Sequence, residues 1–256
     1  MKTQQRIAVA GATGRVGRHV VDVLEAEGHE VVPISRSTGV DIITGDGLAE
    51  ALAGVTAVID AATGPSPEQD AATRFFTTAA RNLQEYGERA GVQRLVVVSI
   101  IGIDRFTGGY QAAKLEHERL SLAGPIPARI LRAAQFHEFV AELVEWGRNG
   151  EASYVPKMRT QLVAARTVAE ALAGMATEAD WSDSVSIPEI AGPRAERLVE
   201  AARLLVARRG DQLRIEEVSS SDVVDADLSD DGALLPGPGA TLAGPTFEEW
   251  LNKQYA

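Results

Sequence analysis

The segment RIAVAGATGRVGRHVVDVL, close to the start of the chain, constrains the fold more than any other. A short apolar run of strand length stops at Gly11, and the glycines recur at Gly14 and Gly17 before an amphipathic helical pattern begins. Glycines at such a turn also serve the turn itself, but three in register between a strand and a helix meet a specific need. Gly11 permits the tight turn, Gly14 lets backbone approach a pyrophosphate, and Gly17 lets the helix pack on the strand. The helix N-terminus then offers unpaired N–H donors and a partial positive charge. The pattern predicts a dinucleotide site formed by Gly11, Thr13, Gly14, Arg15, Val16 and Gly17.

The first half continues this alternation. After EVVPIS come a short DIIT strand, GLAEALAG as a helix and TAVIDAA as a fourth strand, ending at Ala61 and Ala62, which join the dinucleotide site. Apolar positions from Ala71 to Tyr86 recur at helical spacing within Pro67 to Ala90, and Gly91 closes the helix. RLVVVSI is apolar throughout, as a strand covered on both faces must be, and PARILRA reads as a sixth strand. Strands joined by helices pair in parallel, so the fold class is α/β with a doubly wound parallel sheet.

The second half predicts helices in QFHEFVAELVEWG, RTVAEALAGMAT, PRAERLVEAARLLVARRG and FEEWLNKQ. A strand near 184–191 returns to the main sheet, and the acidic stretch 211–231 reads as solvated strand and loop. LLPGPGATLAGPT is too rich in proline and glycine for regular structure. The expected division is a dinucleotide-binding domain over 1–150 and a smaller substrate-binding region over 151–256.

Charge and composition narrow the partners. A net charge of −11 repels phosphate backbones and anionic headgroups, which excludes nucleic acid and membrane surfaces as expected partners. The absence of cysteine removes disulfides and thiolate chemistry and makes a cytoplasmic setting the expectation. The N-terminus turns glycine-rich too early for a secretory leader, and the apolar run from Leu95 to Ile103 falls far short of the roughly 20 residues of a membrane helix. No histidine pair stands at metal-ligand spacing, so no metal is expected. The long helix carrying Phe75 and Phe76 offers a surface for a homodimer.

Several side chains can carry chemistry. Ser35, Arg36 and Ser37 follow the second strand, where an acidic residue would hold NAD ribose hydroxyls; a guanidinium between two hydroxyls suits a 2′-phosphate, which favours NADP over NAD. Tyr110 and Lys114 stand four apart on one face of a helix, where a nearby ammonium stabilises a phenolate and fits the phenol for general acid work. Ser99 ends the fifth strand, at the sheet edge where ligands bind, within reach of the same substrate oxygen. His137 either polarises a substrate carbonyl or packs in the core, while Gln135, Phe136, Met158 and Trp146 line the pocket or fill core. His19, His29 and His117 read as solvent-facing.

Through GATGRVG, SRS, VVVSIIGID, YQAAK and ILRAAQFHEF, the chain resembles atypical short-chain dehydrogenase/reductases of the NmrA-like group. The resemblance implies a Rossmann domain binding NADP and a small C-terminal substrate region. Tyr110 would act as proton donor, Lys114 would bind the nicotinamide ribose and lower the phenol pKa, and Ser99 would orient the substrate. Asp46 would lie beside the adenine, and Gln135, Phe136 and His137 on the substrate side. The activity implied is reduction of a small carbonyl, enone or similar acceptor. Because the group also contains proteins that bind the dinucleotide without turning it over, and the usual serine run shrinks here to Ser99, a non-catalytic redox sensor stands as the alternative.

Overall fold

A computed structural model describes residues 4–179, 181, 186–219 and 225–255. The chain forms two compact units. The first comprises Met1–Ser99, Gly109–Leu131 and Val168–Ile187; the second comprises Ile100–Gly108, Arg132–Thr167 and Pro188–Ala256.

The first unit is built from strands β1 (Arg6–Ala10), β2 (Glu30–Ile34), β3 (Ala57–Asp60), β4 (Arg94–Ile100) and the start of β5 (Ala128–Ala133). Helices α1 (Gly17–Ala26), α2 (Leu48–Leu52), α3 (Gln69–Ala90) and α4 (Gly109–Ala123) connect them. The strand order is β5-β4-β3-β1-β2, with β1 parallel to both β2 and β3, and β3 parallel to β4. Connections run one way from β1 to β2 and the other way from β3 onward. The order reverses between β1 and β3, and the carboxyl ends of strands at such a switch point open a crevice for ligand.

Burial explains why the strands are so uniformly apolar. Ile7, Val9, Val58, Ile59, Val96 and Val97 are essentially inaccessible, as strands sandwiched between helix layers must be. Each such side chain contributes about 1.5–3 kcal/mol relative to exposure. Pro33 sits in β2, opposite Val9, and is tolerated because β2 is an edge strand needing no second set of donors. Gly91, at φ 79°, ends α3 as the sequence predicts.

DIIT is not a strand. The Asp41 carboxylate accepts the N–H groups of Ile43 and Thr44, and Gly45 and Gly47 adopt positive φ, so the segment turns instead of pairing. The sheet therefore has one strand fewer before RLVVVSI than the sequence suggests.

In the second unit the last residues of β5 pair in parallel with β9 (Glu189–Ala191), and β9 pairs with β12 (Thr241–Leu242). The strand expected near 184–191 is present as β9; residues 184 and 185 lie outside the described residues. β12 falls in the proline- and glycine-rich segment read as irregular, a two-residue exception. Helices α5 (His137–Trp146), α7 (Leu198–Arg209) and α9 (Phe247–Gln254) surround an apolar cluster that includes Val140, Val144, Leu198, Leu205 and Phe247. α6 (Ala165–Thr177) is the predicted RTVAEALAGMAT helix, while PRAER stays outside α7 and contributes strand β10 (Glu196–Arg197).

Three short strands between 148 and 160 escape any sequence pattern: β6 (Arg148–Asn149), β7 (Ala152–Pro156) and β8 (Arg159–Thr160). β7 pairs in parallel with β11 (Arg214–Val218), and β8 pairs antiparallel with β10. The acidic stretch thus holds a strand, then α8 (Ala226–Asp230), with 220–224 outside the described residues. Among the described residues no helix is long and apolar enough to cross a membrane.

Candidate active site

The glycine loop has the shape its spacing demands. Gly11 holds φ at 73°, and a Cβ there would stand 2.7 Å from the Ala61 carbonyl oxygen and the Ala62 Cα, where β3 ends. A Cβ on Gly17 would lie 2.0 Å from the Gly11 carbonyl oxygen, and one on Gly14 3.0 Å from it. The three glycines therefore let β1, the end of β3 and the start of α1 approach within backbone contact. Gly14 N–H donates to the Gly11 carbonyl at 2.8 Å and closes the turn. No side chain caps α1 and no acid stands in its first turn, so its dipole faces no negative competitor of its own. A glycine turn packed backbone to backbone, backed by a helix N-terminus that no side chain caps, fits a dinucleotide diphosphate.

Past β2, Arg36 opens a short 3₁₀ turn and is exposed, with no ion-pair partner among the described residues. The Ser35 and Ser37 hydroxyls lie 2.8 Å apart beside it, and the Thr38 hydroxyl accepts the Ser35 N–H at 3.0 Å. This pins the turn while leaving the guanidinium free. Asp46 is exposed, and its carboxylate accepts the Thr44 hydroxyl at 2.7 Å.

α4 begins where Gly109 N–H donates to the Gln69 side-chain oxygen, and it presents Tyr110, Ala113, Lys114 and His117 to the Phe76 ring of α3. Tyr110 Oη lies 3.0 Å from Thr63 Oγ1. Burial pushes the phenol above its ordinary pKa, against the opposing pull of the Thr63 bond and the Arg15 charge. The cation charge that pulls the phenol down is that of Arg15.

Lys114 is engaged elsewhere. The residue is 4% exposed, and its ammonium donates to the Val98 carbonyl at 2.8 Å, lies 3.0 Å from His117 Nδ1 and sits 4.5 Å above the centre of the Phe76 ring. Burial lowers its pKa to about 8, with Asp60 and Glu118 holding it up. His117 Nε2 in turn lies 3.0 Å from Asp60 Oδ2, and both side chains are inaccessible. His117 is therefore not solvent-facing: it is stacked on Phe76 at 4.9 Å. His29 is also buried and accepts the Gln5 N–H, while His19 is half-buried. The Asp60–His117 pair is the part of the site that sequence reasoning missed, although His117 lies seven residues after Tyr110 and three after Lys114, on one helix face. Ser99, the penultimate residue of β4, is buried, and its Oγ has no hydrogen-bond partner among the described residues.

The residues expected on the substrate side lie in the second unit. Gln135 accepts the Thr160 hydroxyl, and Phe136 forms a bridge with Val163. His137 is wholly buried, with its Nε2 on the Leu162 carbonyl, its ring against Phe247 and Trp250, and its Nδ1 without a hydrogen-bond partner among the described residues. Met158 packs against the core, whereas Trp146 is 64% exposed and fills none. Phe76 is 1% exposed beneath α4, and Phe75 is half-buried, so Phe76 offers no surface for a dimer.

Comparison with known proteins agrees with this geometry. Residues 11–178 match the family described as NAD(P)H-binding. L-arabinose 1-dehydrogenase (NAD(P)(+)) from Haloferax volcanii is 35% identical over 103 residues, which span 37% of this chain and 40% of that protein's length. Among solved structures, MoeE5 in complex with UDP-glucuronic acid and NAD superposes with a TM-score of 0.72 at 19% identity, covering 96% of each chain. NADPH-dependent quinone oxidoreductase QOR2 from Escherichia coli, complexed with NADPH, gives 0.65 at 19% identity over 98% of this chain and 100% of that one. At such identity the likeness is one of fold, and the cofactors named are NAD in one case and NADPH in the other. By its sequence match the chain belongs to the NAD(P)H-binding family, and its parallel sheet is of the Rossmann type that such a family requires.

Proposed function

We propose that this protein is an NADP-dependent oxidoreductase that reduces a small carbonyl, enone or similar acceptor, with Tyr110 as proton donor. The observation that carries the reading is the half-buried phenol of Tyr110, 3.0 Å from Thr63 Oγ1 in the same unit as the glycine cradle. A phenol whose pKa burial raises keeps its proton at neutral pH and can yield it to a substrate oxygen as negative charge develops there.

Bound in the cradle, NADPH would supply the hydride that reduces the acceptor carbon. Tyr110 gives its O–H proton to the oxygen, so that two electrons and two hydrogens are added in all. Thr63 orients the phenol. Ser99, whose buried hydroxyl lacks a partner, is assigned to the same substrate oxygen, and Lys114 to the nicotinamide ribose. Gly11, Thr13, Gly14, Arg15, Val16 and Gly17 are assigned to the diphosphate, Ala61 and Ala62 to the cofactor, Arg36 and Ser35 to the 2′-phosphate, and Asp46 to the adenine side.

The test is Tyr110→Phe, which removes the proton and little else. Substrate-dependent NADPH oxidation should fall by about 100-fold or more, the usual worth of a general acid, while NADPH affinity stays within about twofold. Unchanged turnover removes Tyr110 from the mechanism. The second reading, a dinucleotide sensor without turnover, is favoured by one observation: the Lys114 ammonium is engaged by Val98 and His117, and the hydrogen-bond partner of the phenol is Thr63. Tight and unequal binding of NADPH and NADP+, with no acceptor oxidising NADPH, would support it.

A further inference from the structure

We propose that Asp60 and His117 are positioning residues for Lys114: together they form a buried anchor that keeps its ammonium charged and fixed, with one N–H left for a ligand oxygen. The inference rests on the reading of Lys114 as a cofactor-facing cation, but its geometry stands apart from that reading.

An ammonium has three donors and no acceptor. Lys114 uses one on the Val98 carbonyl at 2.8 Å and one on His117 Nδ1 at 3.0 Å; its third has no partner among the described residues. An ionised carboxylate, conversely, only accepts. Asp60 takes the Ala62 N–H on Oδ1 at 3.0 Å and faces His117 Nε2 with Oδ2 at 3.0 Å. Burial pushes the Asp60 carboxyl up, but the His117 bond, the nearby charges and the Ala62 N–H together hold it below the usual carboxylate range.

Between a pure donor and a pure acceptor, the imidazole has one workable state. Nδ1 must present its lone pair to Lys114, and Nε2 must carry its proton towards Asp60. A second proton on Nδ1 would oppose an ammonium N–H, so the cationic ring is excluded for the same reason that the other tautomer is. The donor-acceptor chain runs one way, from Lys114 through His117 to Asp60.

This chain ends in the core. The Asp60 and His117 side chains are each 1% exposed, so the chain of hydrogen bonds is shielded from bulk solvent. What it does supply is counter-charge. A lysine this deeply buried tends to shed its proton unless an anion compensates. The groups facing Lys114 are Asp60 from β3, His117 and Glu118 from its own helix and the Val98 carbonyl from β4, while α3 contributes the uncharged Phe76 face. Asp60, acting through His117, is the anion tied to the ammonium by an unbroken run of hydrogen bonds.

The test needs no substrate. In the unliganded wild-type protein, ¹⁵N imidazole spectra should show His117 neutral with the proton on Nε2 throughout about pH 6–8, and Lys114 followed by its Cε and Nζ resonances should titrate near 8. Asp60→Asn should lower the Lys114 midpoint by about one unit or more. His117→Gln, whose amide offers both an acceptor and a donor, should restore much of the wild-type titration, whereas His117→Leu should not. An Nδ1-protonated His117 in the wild type, or a Lys114 midpoint unmoved by Asp60→Asn, overturns the proposal. If these titrations come out as stated but the wild type binds no pyridine nucleotide, the anchor stands and the cofactor reading falls.

Discussion

The Gly11 carbonyl oxygen occupies the space that a Cβ on Gly17 would need, 2.0 Å from its ideal position. The end of β1 and the start of α1 are in contact through backbone alone, and under the proposed function the loop between them wraps a diphosphate only while that contact holds. Gly17→Ala sets two effects against each other. Alanine favours the helix by about 1 kcal/mol, but the clash is with backbone and costs about 1–3 kcal/mol of strain. The net expectation is a lower unfolding midpoint and at least a tenfold loss of NADPH affinity. A variant as stable and as tightly binding as the wild type would show that the contact is dispensable.

Arg36 tests cofactor choice. Charge-assisted hydrogen bonds contribute about 1.5–3 kcal/mol, so Arg36→Ala should weaken NADPH about 10- to 100-fold. NADH, lacking the 2′-phosphate, should change less than about twofold. Equal losses for the two would mean that Arg36 does not read the phosphate. Binding titrations of both nucleotides against both proteins decide the matter.

His137 predicts a pH dependence of stability in the second unit. Burial lowers its pKa to about 4, against an ordinary value of 6.5, although the Leu162 carbonyl pulls the other way. Between these values the unfolded chain takes up a proton that the folded ring refuses, so its stabilising contribution is complete above about pH 6.5 and is lost as pH falls towards 4. At 1.36 kcal/mol per unit the loss is about 3 kcal/mol at most. Burial depresses His117 as well, and the wild-type slope contains both. Urea midpoints of wild type and His137→Gln across pH 4–7 isolate the His137 part: the variant should show the shallower dependence, and parallel curves would contradict this.

Much of this molecule was legible in the sequence because its signals are local. The glycine triplet, the apolar strand RLVVVSI and the helix closed by Gly91 each carry their geometry within a few residues. What was not legible depends on partners far along the chain. β7 is five residues long, and its neighbour β11 begins some 60 residues later, so neither announces itself. The turn at DIIT rests on one Asp41 side chain bonding back to its own backbone, a choice that a strand-like composition conceals.

His117 was misjudged for a related reason. Its helix carries charges on several faces, and only the packing of α4 on α3, with Asp60 arriving from 57 residues earlier, reveals which face is inside. Within the candidate site, the residue types and order were visible in the sequence; the partner that each side chain takes was not.

Calorimetric titration of the purified protein with NADPH, NADP+, NADH and NAD+ tests the glycine cradle most directly. Saturable heat with the phosphorylated pair, stronger than with NADH and NAD+, is the predicted outcome. The absence of binding to all four nucleotides would contradict the assignment of the loop at Gly11, Gly14 and Gly17 to a dinucleotide diphosphate.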